Sequence, residues 1–198
     1  MAQSLNPLRL AVFDMDGTIT RPLLDFRRIR AEIGLPEPLL ENMMALPPGP
    51  ERERAFSILE RHEDDAADLS ELGDGAREAL EFLRARGTLL ALVTRNSRRS
   101  VLRVLEKHAL DFDFVVTRDD APAKPRPEPL WLICERLGVP PAGALMVGDY
   151  KYDVIAGRAA GMRTALLIPE NRLPPWLDEA RPDHLLNRLD DLRTLFDA

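Results

Sequence analysis

Three things are scarce in this chain of 198 residues: cysteine, long apolar runs and positive charge. The single cysteine, Cys134, cannot close an internal disulfide, so a reducing cytoplasm is the expected setting. It sits in Leu130-Trp131-Leu132-Ile133-Cys134, which reads as a buried helix position rather than a nucleophile. No apolar run approaches the roughly 20 residues that cross a bilayer. Met1 to Pro7 lack the apolar core of a signal segment, so neither export nor membrane insertion is expected. Lys and Arg number 27 against 33 Asp and Glu, for a net charge of -6. An acidic surface disfavours nucleic acid and anionic membranes, so a negatively charged substrate must be drawn in locally, by a metal or a few fixed cations. Internal repeats and low-complexity tracts are absent as well.

What is present is the balance of a globular protein, 45% apolar and 30% charged, in a chain long enough for one ordinary domain with a small insertion. Strand-sized apolar runs occur at Leu8 to Phe13, Thr88 to Val93, Phe112 to Val116, Ala144 to Val147 and Thr164 to Ile168. Helical spacing fills the segments between them. Buried strands alternating with amphipathic helices predict an α/β fold, a Rossmann-like doubly wound parallel sheet covered on both faces. Ser97 is placed to cap a helix over Arg98 to His108, Pro129 suits a first turn, and Gly138 and Gly161 follow helical stretches. Val101, Leu102, Val104 and Leu105 are expected in the core.

From Arg21 to Leu72 the alternation stops. Helical pieces at Asp25 to Ile33, Pro38 to Leu46 and Glu51 to Leu69 are separated by Pro36, Pro47, Pro48 and Pro50. This predicts a small α-helical cap over residues 21–72, inserted in a core of residues 1–20 and 73–198. The charged stretch Arg61 to Asp65 is expected to be a solvated helix face, as are Arg27, Arg28 and Arg30, although a cap arginine near a phosphate site could meet an anion.

The chemistry gathers at strand ends. Asp14-Met15-Asp16-Gly17-Thr18 follows the first run and sets two carboxylates at the carboxyl end of a strand, where an open parallel sheet binds its ligands. Thr94-Arg95-Asn96-Ser97 follows the second run at a helix start suited to an anion. Lys124, held between prolines, follows the third as a fixed cation, and Gly148-Asp149-Tyr150-Lys151-Tyr152-Asp153 supplies two more carboxylates after the fourth. Singly, each is a common loop or cap residue. Together they would converge on one edge of the sheet.

This arrangement resembles the haloacid dehalogenase superfamily of phosphohydrolases, in motif order and in strand-end placement, over nearly the whole chain. The position of the helical insertion is similar to the group containing phosphoglycolate phosphatase and β-phosphoglucomutase. The resemblance implies Asp14 as nucleophile, Asp16 as general acid and base, and Thr94, Arg95 and Lys124 around the phosphate. It also implies Mg²⁺ held by the Asp14 side chain, the Asp16 carbonyl and Asp149, with Asp153 binding directly or through water. The function implied is Mg²⁺-dependent hydrolysis of a small phosphomonoester, with phosphoglycolate a candidate by fold analogy alone, and with a phosphomutase or a non-catalytic binding protein as alternatives. Haloacid dehalogenation itself is disfavoured, because that branch lacks the second motif aspartate and Asp16 is present. Arg95 stands where many relatives have Asn, and Tyr150 where many have a small residue. No role is therefore carried onto Asn96, and Tyr150 is expected to pack beside the acidic loop.

Overall fold

In the computed structural model, residues 7–169 and 172–196 are described. Most of the amino-terminal segment read above as lacking a signal core, residues 1–6, lies outside them. Six strands form one sheet: β1 (Leu10–Phe13), β2 (Leu89–Val93), β3 (Phe114–Val116), β4 (Ala144–Gly148), β5 (Arg163–Leu167) and β6 (His184–Leu186). Their order is β3-β2-β1-β4-β5-β6, with every pairing parallel. This is the α/β Rossmann-like architecture, and the order reverses between β1 and β4. Five strands coincide with apolar runs of the sequence. β6 is three residues long and carries no comparable run.

Side-chain alternation along the strands sorts the core into two layers. Ala11, Phe13, Leu90, Leu92, Leu145 and Val147 face one apolar cluster, whereas Leu10, Val12, Ala91, Val93, Ala144 and Met146 face the other. Helices α4 (Ala76–Ala85) and α5 (Arg98–His108) close the first layer, together with Leu189, Leu192 and Leu195 of a 3₁₀ segment. Helices α6 (Glu128–Leu137) and α7 (Lys151–Ala160) close the second, which contains Cys134. A fully buried Leu or Phe in such a layer contributes about 1.5–3 kcal/mol. Helix ends follow the expected chemistry: Ser97 accepts a hydrogen bond from the Ser100 N–H, and Gly138 and Gly161 adopt positive φ as caps.

The interval after β1 holds three helices, α1 (Phe26–Ile33), α2 (Leu39–Ala45) and α3 (Pro50–Leu69), which bury Ile29, Leu40, Met43 and Leu59 in a cluster of their own. The chain enters and leaves this interval side by side: the Arg21 N–H donates to the Glu71 carbonyl and the Gly73 N–H to that of Ile19, both at 2.9 Å. A short helix, α8 (Leu177–Ala180), precedes β6. No helix among the described residues is long and apolar enough to cross a membrane.

Two expectations are corrected. Leu102 is 54% exposed, because the stripe of α5 that meets the sheet runs through Val101 and Val104, and Leu102 lies one residue off it. The stretch Arg61 to Asp65 is not uniformly solvated: Glu63 is 2% exposed and Asp64 7%, since both fall on the face of α3 that packs against the core.

Candidate active site

β1 ends where its neighbours can hold the next residue. The Asp14 N–H donates to the Val147 carbonyl at 2.9 Å, extending the ladder one step and setting the Asp14 side chain at the reversal between β1 and β4. The chain then turns tightly. The Thr20 N–H and hydroxyl both donate to the Met15 carbonyl, at 2.9 and 3.2 Å, and Gly17 has a φ of 82°. A Cβ on Gly17 would lie 2.2 Å from an Asp149 oxygen, so glycine is required both for the turn and for the approach of the β4 loop.

All seven residues singled out in the sequence, Asp14, Asp16, Thr94, Arg95, Lys124, Asp149 and Asp153, line one cavity of about 400 Å³. Lys124, 2% exposed, is the most tightly held of them. Its Nζ donates to Asp14 at 2.5 Å and to the Val93 carbonyl at 3.0 Å, and contacts Asp153 at 2.6 Å. Burial opposes the ammonium charge, but Asp14 and Asp153 outweigh it and raise the Lys124 pKa. The other oxygen of Asp153 accepts the Tyr150 N–H at 3.1 Å, at the start of α7. The Thr94 hydroxyl accepts the Asn96 N–H at 3.2 Å.

Four carboxylates face this one ammonium. Burial pushes Asp14 up to about 6, against the pull of Lys124. Burial and the Asp14 charge push Asp16 up to about 7, and burial together with Asp14 and Asp153 pushes Asp149 up to about 8. Oxygens of Asp14, Asp149 and Asp153 all lie within 4.8 Å of one another. Hard oxygen donors in excess negative charge at this spacing fit a hard divalent cation such as Mg²⁺.

Two further residues join the site that sequence reasoning set aside. Asn96 Nδ2 donates to Asp16 at 2.6 Å, which holds that carboxyl in place. Glu63 of α3 accepts the Ser97 N–H at 3.1 Å and pairs with Arg118, whose guanidinium also donates to the Arg95 carbonyl at 3.2 Å. Glu63 was legible in principle: it stands four residues from both Leu59 and Ala67, on the buried stripe of α3. Asn96 had no such signal, because its partner is 80 positions away. Arg95 turns its side chain to Glu41 of α2, at 2.9 and 3.0 Å, and Tyr150 packs edge-on to Tyr152 and Trp176.

Fold and site together define a class: a doubly wound α/β hydrolase whose acidic centre lies at the carboxyl ends of parallel strands. The chain belongs to the haloacid dehalogenase-like hydrolase family, whose model matches residues 36–167. A haloacid dehalogenase-like hydrolase domain-containing protein of Arabidopsis thaliana is 29% identical over 208 residues, covering 96% of this chain and 84% of its own. Pyrophosphatase PpaX of Bacillus cereus is 36% identical over 132 residues, 65% of this chain and 61% of that protein. A hydrolase from Pseudomonas syringae shares the fold, with a TM-score of 0.78 at 21% identity over 96% of this chain and 98% of that one.

Proposed function

We propose that the protein is a Mg²⁺-dependent phosphatase that cleaves a small phosphomonoester through an aspartyl-phosphate on Asp14. One observation carries the reading: Asp14, Asp16, Lys124 and the Asp149–Asp153 pair share a buried cavity at the reversal of the sheet. The carboxylates of Asp14, Asp149 and Asp153, with the Asp16 carbonyl, would hold the metal. Bound there, Mg²⁺ supplies the positive charge that lets a carboxylate approach an anionic ester and keeps the two in line.

The chain's own groups supply the rest. The Asp14 carboxylate attacks phosphorus while the bond from phosphorus to the alcohol oxygen breaks. Asp16, with a pKa of about 7, holds a proton for the departing alkoxide near neutral pH. The same carboxylate, now ionised, takes a proton from the water that hydrolyses the aspartyl-phosphate. Asn96 keeps Asp16 pointed at that oxygen through its 2.6 Å hydrogen bond. The Thr94 hydroxyl and the Lys124 ammonium hold phosphoryl oxygens and spread their growing charge, with main-chain N–H groups near Met15 and Arg95. Residues 21–72 act as a small cap over the cavity, reducing access of bulk water, and a cytoplasmic setting belongs to the same reading.

Phosphate release from a panel of small phosphomonoesters, with Mg²⁺ and with a chelator, tests this. Asp14→Asn should lose about a thousandfold or more in kcat while keeping the far-ultraviolet spectrum and melting temperature of the parent. Full metal-dependent turnover in that variant would overturn the mechanism.

A further inference from the structure

The cavity lining combines two chemistries. Beside the reacting groups, the segment after β1 contributes Leu24, Phe26, Leu40 and Leu59, and Tyr150 and Tyr152 join them from the loop and first turn after β4. Phe26 and Tyr150 are 49% and 43% exposed, so their rings are open to a group entering the cavity. The cations lining the cavity are already matched to carboxylates. Lys124 is held by Asp14 and Asp153, Arg30 by Glu37, and Arg95 by Glu41 while its guanidinium lies 5.1 Å from the Tyr152 ring centroid. A second anion on the substrate would meet guanidinium charge that Glu37 and Glu41 already neutralise, or lie against leucine and tyrosine, and both weaken its binding.

We infer that the substrate's alcohol portion is apolar and ring-bearing and carries no second anionic group. The inference rests on the phosphatase reading above and narrows it to one class of ester. It separates this chain from chemistry on pyrophosphate or on phosphorylated carboxylic acids, whose far end needs a free cation. A cavity of about 400 Å³ has room for a phosphate and one such ring-bearing group.

The test compares benzyl phosphate with phosphoglycolate and pyrophosphate in the presence of Mg²⁺. A benzyl rather than a phenyl ester is chosen so that a reactive phenolate does not contribute to the rate. Benzyl phosphate is expected to show kcat/KM at least about tenfold above both. Binding is read separately by calorimetry with two phosphonates, in which carbon replaces the bridging ester oxygen and blocks hydrolysis. 2-Phenylethylphosphonate should bind at least about tenfold more tightly than 3-phosphonopropionate. In the double variant Glu37→Gln, Glu41→Gln, which frees Arg30 and Arg95, that preference should shrink or invert.

Preference of the parent protein for phosphoglycolate or pyrophosphate, or tighter binding of 3-phosphonopropionate, overturns the inference and leaves the hydrolase reading standing. Absence of phosphate release from every ester overturns the phosphatase reading, while the phosphonate preference still decides the chemistry of the cavity.

Discussion

At Gly148 the site depends on the absence of a side chain. A Cβ there would lie 2.2 Å from the Asp153 Cγ, inside the space that lets Asp153 reach both Lys124 and the Tyr150 N–H. Gly148→Ala should therefore push Asp153 out of the acidic cluster, costing about 1–3 kcal/mol of stability and most of the metal-dependent activity. Denaturant unfolding and phosphate release as a function of Mg²⁺ concentration check the two effects together. Asp14, Asp16, Lys124 and Asp153 were readable as chemical candidates because their residue types and strand-end positions are local facts. Asn96 was not, because its importance lies wholly in meeting Asp16 across the cavity.

At the scale of elements, α3 is tied to the loop after β3 by a buried pair. The Glu63 and Arg118 side chains are 1% and 4% exposed, and burial raises the Glu63 pKa despite Arg118 and the Ser97 N–H. Removing one partner of such a pair leaves an uncompensated buried charge, a loss of about 3–5 kcal/mol. Arg118→Met is expected to lose that much, and Arg118→Met with Glu63→Gln substantially less, measured by urea unfolding of both. The charged run Arg61 to Asp65 looked like a solvated face, because charge alone does not reveal which side of a helix meets a neighbour.

The short strand β6 carries a second element-scale consequence. His184 is buried, and its Nε2 has no hydrogen-bond partner among the described residues. Burial lowers its pKa, Asp183 opposes that shift and Arg163 reinforces it. A lowered histidine pKa means the unfolded chain binds the proton first as pH falls, so the unfolded state gains relative to the folded one. The contribution of His184 is complete above the ordinary histidine value of 6.5 and is lost as pH falls through and below it. Stability of the parent should thus drop more between neutral and mildly acidic pH than that of His184→Gln, measured by melting temperature across the range.

For the whole molecule, four carboxylates around one lysine make the folded state pay for its own site, and a cation that binds only that state should repay it. Mg²⁺ at about a hundred times its Kd should stabilise the protein by about 2.7 kcal/mol. The melting temperature should rise with added Mg²⁺, return with a chelator, and move little in Asp149→Asn. An unchanged melting temperature in the parent at saturating Mg²⁺ would contradict the assigned cation site.

The alternation of apolar runs and helical spacing was enough to determine a parallel α/β sheet, since side-chain burial on both faces leaves a compositional trace in every long strand. It also determined which strand ends bear carboxylate, hydroxyl and ammonium. β6 left no such trace, because its middle residue Leu185 is exposed and one of its two buried positions is His184. The exposure of Leu102 and the meeting of Asn96 with Asp16 were decided only by tertiary structure. Helix rotation against a neighbour and contacts between distant loops are set by packing of the whole chain, and no local pattern of residues encodes them.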